Sequence, residues 1–296
     1  MERRLGDPLP LGGSGMPYSK GLMARALIAV GVAADRAYDL ARRLELDLAE
    51  QDVPAVELGR LETLAREELG EEEGARACDR LRRLRDLQAL ELPVIVLVGG
   101  ATGTGKSTVA TEVAHRLGIT RVVSTDSIRQ TMRAFFSREF LPAIHYSSFD
   151  AGAAVVDDAV GDAVVNGFVE QSRHVCVGVD AAMRRALTEG WSMVIEGVHL
   201  VPGLVPAELE GALLLHVVVA IANEDVHKTH FLVRDAATGG VRPMGPYLDR
   251  LGEIRRVQDC IVSRAERLGV PVIENGNVER TIGDVIELTM RMAEGR

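Results

Sequence analysis

Residues 99–107 combine four glycines with a lysine and a serine, reading Gly-Gly-Ala-Thr-Gly-Thr-Gly-Lys-Ser. Gly100, Gly105, Lys106 and Ser107 have the spacing of a phosphate-binding loop. Glycines let the backbone curve tightly around a polyphosphate with its N–H groups pointing inward. Lys106 would bring a positive charge to the outer phosphates, and the Ser107 hydroxyl is suited to ligate Mg²⁺. The spacing therefore predicts binding of a nucleoside triphosphate.

The context of the loop supports this prediction. The chain has only three lysines, which makes a chance match to the pattern rare. The apolar run 94–98 precedes the loop, and helical periodicity begins at Ser107, which is the strand, loop and helix order that the motif requires. The residues predicted to contact the nucleotide are Gly100, Thr102, Gly103, Thr104, Gly105, Lys106, Ser107 and Thr108. Lys106 is also predicted to be a catalytic residue.

A carboxylate and two arginines follow the next predicted strand. Asp126 comes just after residues 121–124, and Arg129 and Arg133 lie four residues apart on one face of the following helix. A carboxylate near the phosphate loop can accept the proton of an attacking hydroxyl or hold it in line, while arginines can bind an anionic acceptor. The alternative is that Asp126 only caps the helix and that the arginines are solvated.

The strand predicted over 192–196 ends in Glu196 followed by a glycine, which resembles a Walker B strand with glutamate in place of aspartate. Glu196 is predicted to hold Mg²⁺ with Ser107, directly or through water; an ordinary turn carboxylate is the alternative. His199 is a candidate contact for the acceptor and equally a candidate for a structural hydrogen bond. His145 lies in a partly polar stretch where an acceptor pocket is expected.

An arginine after the fourth predicted strand is expected to close over the γ-phosphate and to offset charge in the transition state. Arg234 is the first candidate and is predicted to be a catalytic residue, and Arg242 is the second candidate. The alternative for each is an ordinary surface arginine. A mobile lid would lie in the loop-like stretch 236–243. His227 and His230 have the i, i+3 spacing of a metal pair, but no cysteine or carboxylate completes the set, so a structural role is favoured.

Two weaker patterns leave alternatives open. Asn275 and Asn277 follow the last predicted strand and are candidates for an adenine pocket, although turn propensity explains them equally well. The glycines within 12–15 resemble a second phosphate loop, but no strand precedes them and a turn is favoured.

Elements of two kinds must position these residues. Strands are predicted at 94–98, 121–124, 192–196, 213–221 and 270–274, and helices at 105–117, within 126–189 and at 278–293. This alternation predicts an α/β fold, a five-stranded parallel sheet with helices on both faces and ligands at the carboxyl ends of its strands. Residues 1–90 show only helical patterns, at 20–30, 33–49, 54–69 and 71–88, which predicts an all-helical domain, 1–90, before the α/β domain, 91–296.

Composition narrows the class of partner. The chain has 296 residues, 47% of them hydrophobic, and a net charge of −9, which disfavours nonspecific binding to nucleic acid or to an anionic membrane. No apolar run approaches the roughly 18 residues that a membrane-spanning helix needs. The three cysteines lie far apart without a C-x-x-C pair, which favours reduced thiols in the cytoplasm. A small-molecule partner is expected, and homo-oligomer formation is left open.

Several segments together resemble the 2-phosphoglycerate kinase family. They are the loop from Gly99, Ser-Thr-Asp-Ser-Ile-Arg from Ser124, His-Tyr-Ser-Ser-Phe from His145 and Ile-Glu-Gly-Val-His-Leu-Val-Pro from Ile195. Residues 17–22, Pro-Tyr-Ser-Lys-Gly-Leu, resemble the ATP-cone-like region that such proteins carry. The resemblance implies a P-loop kinase fold that uses ATP and Mg²⁺ and transfers the γ-phosphoryl group to the 3-hydroxyl of 2-phosphoglycerate, giving 2,3-bisphosphoglycerate.

The resemblance also implies roles for individual residues. Lys106 and Ser107 would serve ATP and Mg²⁺, and Asp126 would orient the acceptor hydroxyl. Arg129 and Arg133 would hold the phosphate and carboxylate of the acceptor. Two other functions stay open on the sequence: a kinase for another small phosphorylated or carboxylated metabolite, and a nucleotide-sensing regulatory protein whose P-loop acts as a switch.

Overall fold

Four helices precede the first strand in the computed structural model, which describes residues 18–155, 161–237 and 244–294. They are α1 (Lys20–Ala29), α2 (Ala34–Gln51), α3 (Leu58–Leu69) and α4 (Glu71–Ala89). Leu40, Leu44 and Leu48 show why such segments are helical, since they recur at helical spacing in α2 and are all buried on one face. The Ser19 hydroxyl accepts a hydrogen bond from the Leu22 N–H at 3.4 Å and so caps α1.

Strands and helices alternate over the rest of the chain. The elements are β1 (Val94–Gly99), α5 (Lys106–Leu117), β2 (Val122–Ser124), α6 (Thr125–Phe135), α7 (Ala163–Glu189), β3 (Met193–Gly197), β4 (Leu213–Ala220), α8 (Glu224–Ala237), α9 (Gly245–Leu248), α10 (Leu251–Leu268), β5 (Val272–Glu274) and α11 (Val278–Arg291). Two short 3-10 segments, Pro142–His145 and Ala151–Ala154, lie between α6 and α7.

The five strands form one parallel sheet in the order β2-β3-β1-β4-β5. This confirms the predicted α/β fold with a five-stranded parallel sheet. Val98 of β1 pairs with Glu196 of β3, which in turn pairs with Ser124 of β2. The carboxyl ends of these three strands therefore lie at one edge of the sheet, where ligands of such sheets bind.

Helices cover both faces of the sheet. Val94, Val96 and Val98 of β1 face a buried cluster that also contains residues of α1 to α5 and α11. Ile95 and Leu97 point the opposite way, toward a cluster formed with α7. One apolar core therefore continues from the N-terminal helices into the sheet. The domain boundary predicted near residue 90 stays a prediction; α4 ends there, at Ala89.

Helices α8 and α10 lie in a region for which the sequence predicted only strands and a lid-like loop. In α10 the buried residues have helical spacing, as Leu251, Ile254 and Val257 show. Residues 236 and 237 of the predicted lid belong to the end of α8, and the remainder of that stretch lies outside the described residues. Within the described ranges, no helix is both long and apolar enough to cross a membrane.

Candidate functional site

The glycine-rich loop joins β1 to α5 and is packed too tightly for side chains at its glycines. Gly100, Gly103 and Gly105 have φ angles of 148°, 88° and 83°. A Cβ atom at Gly103 would lie 2.5 Å from Cζ of Phe231, and one at Gly100 would lie 2.3 Å from the Val219 carbonyl oxygen. Both the backbone conformation and the space thus require glycine. The loop leads directly into the N-terminus of α5, where backbone N–H groups favour an anion.

The lysine and serine of the motif lie where the loop becomes helix. Lys106 Nζ donates to the Ala101 carbonyl oxygen at 3.4 Å, so its ammonium group folds back over the loop. The Ser107 hydroxyl donates to Oε2 of Glu196 at 2.9 Å. Thr104 is buried with its hydroxyl bonded to Ala101 O at 3.0 Å, whereas Thr102 is half-buried and Thr108 is exposed.

Ser107 and Glu196 together form a donor set that fits Mg²⁺. Both offer oxygen atoms, which this hard cation prefers, and they meet beside the phosphate loop. Across the described part of the chain there is no group of three or more His, Cys, Asp or Glu residues that could hold a metal ion. The Ser107 and Glu196 pair suits Mg²⁺, which is usually bound by one or two protein ligands together with phosphate oxygens and water. The predicted metal ligands are therefore brought together.

Asp126 lies in the first turn of α6 with 68% of its side chain exposed. Ser124, not Asp126, is the N-cap of this helix, because its hydroxyl accepts from the Asp126 N–H at 3.2 Å. The alternative that Asp126 serves only as a cap is therefore wrong. Its carboxylate projects from the carboxyl end of β2, one strand away from Glu196, and is available to a ligand at that edge.

The two arginines of α6 have different surroundings. Arg129 is buried, and its Nη1 donates to the carbonyl oxygens of Ile144 and Tyr146, both at 2.9 Å. Its Nε lies 3.3 Å from Asp126 Oδ1. Arg133 is exposed and donates to Gln130 at 3.0 Å. Arg129 thus anchors the 142–146 segment, whereas Arg133 keeps most of its guanidinium open to solvent.

His145 and His199 also differ. His145 is half-buried, and its Nε2 donates to the Phe136 carbonyl oxygen at 3.0 Å. His199 is completely buried: Nδ1 lies 2.8 Å from the Thr125 hydroxyl and Nε2 lies 3.0 Å from Gln171 Oε1. Because both ring nitrogens are used, the geometry fits the structural alternative for His199 rather than direct contact with an acceptor.

A buried hydrogen-bond network fixes the tautomer of His199. The Gln171 amide nitrogen donates to the carbonyl oxygens of Ala143 and Tyr146, so its Oε1 must face His199 and accept from Nε2–H. Nδ1 then accepts from the Thr125 hydroxyl. Burial lowers the pKa of His199 far below its ordinary value, which keeps the ring neutral. The network joins the end of β3 to α6, α7 and the 142–146 segment.

Charged groups of the predicted site act on the His199 ring of this network. The pKa of His199, lowered chiefly by burial, is also affected by the charges of Asp126, Arg129 and Lys106. Two of these charges belong to predicted acceptor residues and the third to the predicted nucleotide lysine. Gly197 lets the end of β3 pack closely against the start of α6, because a Cβ atom there would lie 1.8 Å from Oγ1 of Thr125.

His227, His230 and Asn275 contact the outer side of the phosphate loop. His227 Nε2 donates to the Thr102 carbonyl oxygen at 2.8 Å, and His230 Nδ1 donates to that of Gly103 at 3.2 Å. Both histidines of the i, i+3 pair therefore bond the phosphate loop through one ring nitrogen each. Asn275 Nδ2 donates to the carbonyl oxygen of Thr104 at 2.9 Å.

The remaining candidates are less informative. Asn277 caps α11, accepting from the Arg280 N–H at 3.0 Å, which agrees with the turn alternative for this residue. Arg234 belongs to α8, and nothing is described of its side chain. Arg242 and the glycines within 12–15 lie outside the described residues. The arginine that would close over a γ-phosphate therefore stays a prediction.

Sequence reasoning missed Gln171 and Thr125, as well as the role of the two histidines on α8. Gln171 is 28 residues from His199 in the chain and lies inside a long helix, so no spacing relates the two. For His227 and His230 a signal was present: their i, i+3 spacing predicts two side chains on one helix face. What that face contacts depends on tertiary packing.

Two relatives of this chain share one description. A protein of Methanopyrus kandleri described as 2-phosphoglycerate kinase is 36% identical over 272 residues, covering 92% of this chain and 83% of its own length. Its counterpart in Methanothermobacter thermautotrophicus is 38% identical over 285 residues, covering 94% of this chain and 92% of its own. A solved gluconokinase from Sinorhizobium meliloti 1021 aligns with 69% of this chain and 95% of its own at 15% identity; its TM-score of 0.40 is too low to bear on function.

No family model matches the chain. The relatives are nevertheless well above 30% identity, and each alignment extends over most of both proteins. The alignments include the phosphate loop, the α6 start and the end of β3, because they leave out less than a tenth of this chain. On this ground the chain belongs to the 2-phosphoglycerate kinase family.

Proposed function

We propose that the protein transfers the γ-phosphoryl group of ATP to the 3-hydroxyl of 2-phosphoglycerate, forming 2,3-bisphosphoglycerate and ADP. The observation that carries the proposal is the contact of Ser107 with Glu196 beside the phosphate loop, one strand from the exposed carboxylate of Asp126. A nucleotide and an acceptor hydroxyl would then meet at the same edge of the sheet. The names of the relatives supply the acceptor.

Each residue has a role that follows from its position. The loop amides and Lys106 would hold the triphosphate, and Ser107 and Glu196 would hold Mg²⁺, which when bound offsets negative charge on the phosphates. Asp126 would accept a hydrogen bond from the acceptor hydroxyl, aligning its oxygen with the γ-phosphorus and taking up its proton as the O–P bond forms. The rate would come from positioning and charge stabilisation.

The acceptor would be held on the α6 side of the site. Arg133 is exposed and lies on the same helix as Asp126, so its guanidinium suits the phosphate or carboxylate of a small acid. Arg129 already donates to two carbonyl oxygens, and we assign it to holding the wall formed by residues 142–146. His199 would act through that wall and not on the substrate.

An acceptor panel tests the proposal. ADP formation is measured with MgATP and 2-phosphoglycerate, 3-phosphoglycerate, glycerate or a common sugar, and the phosphorylated product is identified by mass. Turnover is expected to be greatest with 2-phosphoglycerate. Turnover with another acid but none with 2-phosphoglycerate would replace the acceptor, and tight ATP binding without transfer to any acceptor would favour a nucleotide sensor.

A further inference from the structure

Three side chains from outside the phosphate loop bind three successive carbonyl groups of that loop. The carbonyl oxygens of residues 102–104 accept, in order, from His227 Nε2 at 2.8 Å, His230 Nδ1 at 3.2 Å and Asn275 Nδ2 at 2.9 Å. Two donors come from α8 and the third from the end of β5. The Asn275 amide is itself oriented, since its oxygen accepts from the Thr281 hydroxyl at 3.0 Å.

These contacts determine where the loop N–H groups point. The carbonyl of one residue and the N–H of the next belong to one peptide plane and point in opposite directions. Holding the carbonyls of residues 102–104 outward therefore turns the N–H groups of residues 103–105 toward the inside of the loop. Those of Gly103 and Gly105 have no acceptor among the described residues, and that of Thr104 has only a long contact of 3.5 Å with Ala101.

At His227, the N–H donor explains the choice of histidine better than the stacking of its ring does. Its Nε2 must carry the proton to donate to a carbonyl, which leaves Nδ1 as a buried acceptor, and Nδ1 has no partner among the described residues. A buried nitrogen without a partner is unfavourable. The ring also stacks on Phe231, with centroids 5.3 Å apart, and a phenyl group would make that contact without the unpaired nitrogen. What histidine adds at this position is the hydrogen bond to the loop.

We propose that His227, His230 and Asn275 are positioning residues that hold the peptide dipoles of the loop in the orientation that binds the β- and γ-phosphates. The loop is thereby organised before the nucleotide arrives, so that little binding energy is spent on turning its peptide groups. The inference deepens the proposed function and rests on it only as far as the loop binds MgATP. It requires nothing of the acceptor.

His227→Phe is the most direct test, because it keeps the stacking on Phe231 and removes the donor. We expect the Kd of MgATP, measured by calorimetry on the full chain, to rise about tenfold, the effect of one lost hydrogen bond of ordinary strength. Adenosine lacks phosphates, so its affinity, measured by competition, should change less than about twofold. His227→Gln returns an N–H donor close to the position of Nε2, and it should recover most of the MgATP affinity.

His230 provides a second variant in a half-exposed position, where folding is less at risk. His230→Ala should also weaken MgATP and spare adenosine, and His230→Asn should restore affinity because its amide nitrogen takes the place of Nδ1. His216→Phe is the matched control. His216 is a mostly buried histidine that donates to the Leu200 carbonyl oxygen at 3.2 Å, so the same kind of bond is lost away from residues 102–104. Its MgATP affinity should stay within about twofold of the unmodified protein.

Two results would overturn the proposal. One is an unchanged Kd of MgATP in His230→Ala and in folded His227→Phe. The other is an equal loss of affinity for MgATP and adenosine, which would indicate general damage to the site. If the variants behave as expected but 2-phosphoglycerate is not phosphorylated, the acceptor assignment fails and the positioning role stands.

Discussion

Asp126 is the residue on which the proposed chemistry most depends. Its carboxylate is 68% exposed at the first turn of α6, with Oδ1 lying 3.3 Å from Arg129 Nε. It differs in this from Arg129 and His199, whose polar atoms are bonded to other parts of the protein. A largely exposed carboxylate among fixed neighbours is suited to contact a substrate.

Replacing this carboxylate by an amide should separate catalysis from nucleotide binding. For Asp126→Asn we expect kcat to fall by about 10²–10⁴, because proton acceptance is lost, while the Kd of MgATP changes less than about twofold. Steady-state kinetics and calorimetry measure the two effects. Asp225→Asn is a matched control, since Asp225 is an exposed first-turn carboxylate of α8. A kcat within about threefold of the unmodified protein would remove Asp126 from the proposed mechanism.

The function of the loop residues could be predicted from the sequence. The hydrogen-bond partners of individual polar side chains could not be predicted in this way. The motif predicts the loop because its residues act within one short segment of the chain. These residues are Gly100, Gly105, Lys106 and Ser107. Arg129 was predicted to hold the acceptor, but its Nη1 binds two carbonyl oxygens 15 and 17 residues away. Spacing along α6 shows which face an arginine occupies and does not show what lies opposite.

At the scale of elements, the junction of β3 with α6 brings the nucleotide and acceptor halves together. Glu196 pairs with Ser124 across the two strands and accepts from Ser107 of α5. Immediately after it, Gly197 has a φ of 152° and lies against Thr125, the first residue of α6. The strand end and the helix start are thus packed backbone to side chain with no space between them.

Gly197→Ala should disrupt this junction. The added methyl group would overlap Thr125 and the backbone would be strained, so we expect the free energy of unfolding to decrease by about 2–4 kcal/mol. Urea unfolding measures the change. In Gly283→Ala, a control in the middle of α11 with no atoms near the new methyl group, the same free energy should rise by up to about 1 kcal/mol. Equal effects of the two substitutions would contradict the packing described for Gly197.

The strands were easier to predict than the late helices. β1 and β3 are buried on both faces and appear in the sequence as short continuous apolar runs, which is the pattern of a parallel sheet. Helix α10 has an equally regular helical pattern but follows the glycine- and proline-containing stretch 239–243, which favours a loop. That local signal obscured the periodicity next to it.

For the molecule as a whole, the central fact is that the N-terminal helices share a core with the sheet. Leu27 of α1 and Leu87 of α4 belong to the same buried cluster as Val96 of β1. Arg83 of α4 also forms an ion pair with Glu287 of α11 at 2.8 Å. The helices are therefore structurally part of the body that carries the site.

Removing the first 90 residues should expose this face. We expect a protein comprising residues 91–296 to bind the dye ANS and to lose the cooperative unfolding transition of the full chain, because the apolar surface of α5 and α11 would lie open to water. Fluorescence and urea titration are the measurements. A cooperative transition without dye binding would show that the predicted boundary at residue 90 separates two independent domains.

Buried histidines should make the stability of the molecule depend on pH. Burial lowers the pKa of His216 to about 4 and lowers that of His199 and His227 as well. An unfolded histidine takes up its proton near pH 6.5, so below that pH the unfolded chain binds more protons and stability decreases toward the folded pKa.

Urea unfolding at pH 7.5 and pH 5.0 measures this dependence. The decrease in the free energy of unfolding should be about 2 kcal/mol smaller in His216→Phe than in the unmodified protein. An identical decrease in His216→Phe and in the unmodified protein would show that His216 titrates normally in the folded state.

Local pattern was sufficient for the phosphate loop, the five strands and most helices, since each of these depends on the order of neighbouring residues. The hydrogen bonds that build the site join residues 28 to 127 positions apart in the chain. They are the bond from Ser107 to Glu196, the network of Thr125, His199 and Gln171, and the bonds from α8 to the loop. Such pairs form only when the sheet order has brought their strands and helices side by side. The spacing of residues along the chain does not show which distant residues come into contact. For this reason the roles of His227 and His199 could be assigned only from the folded structure.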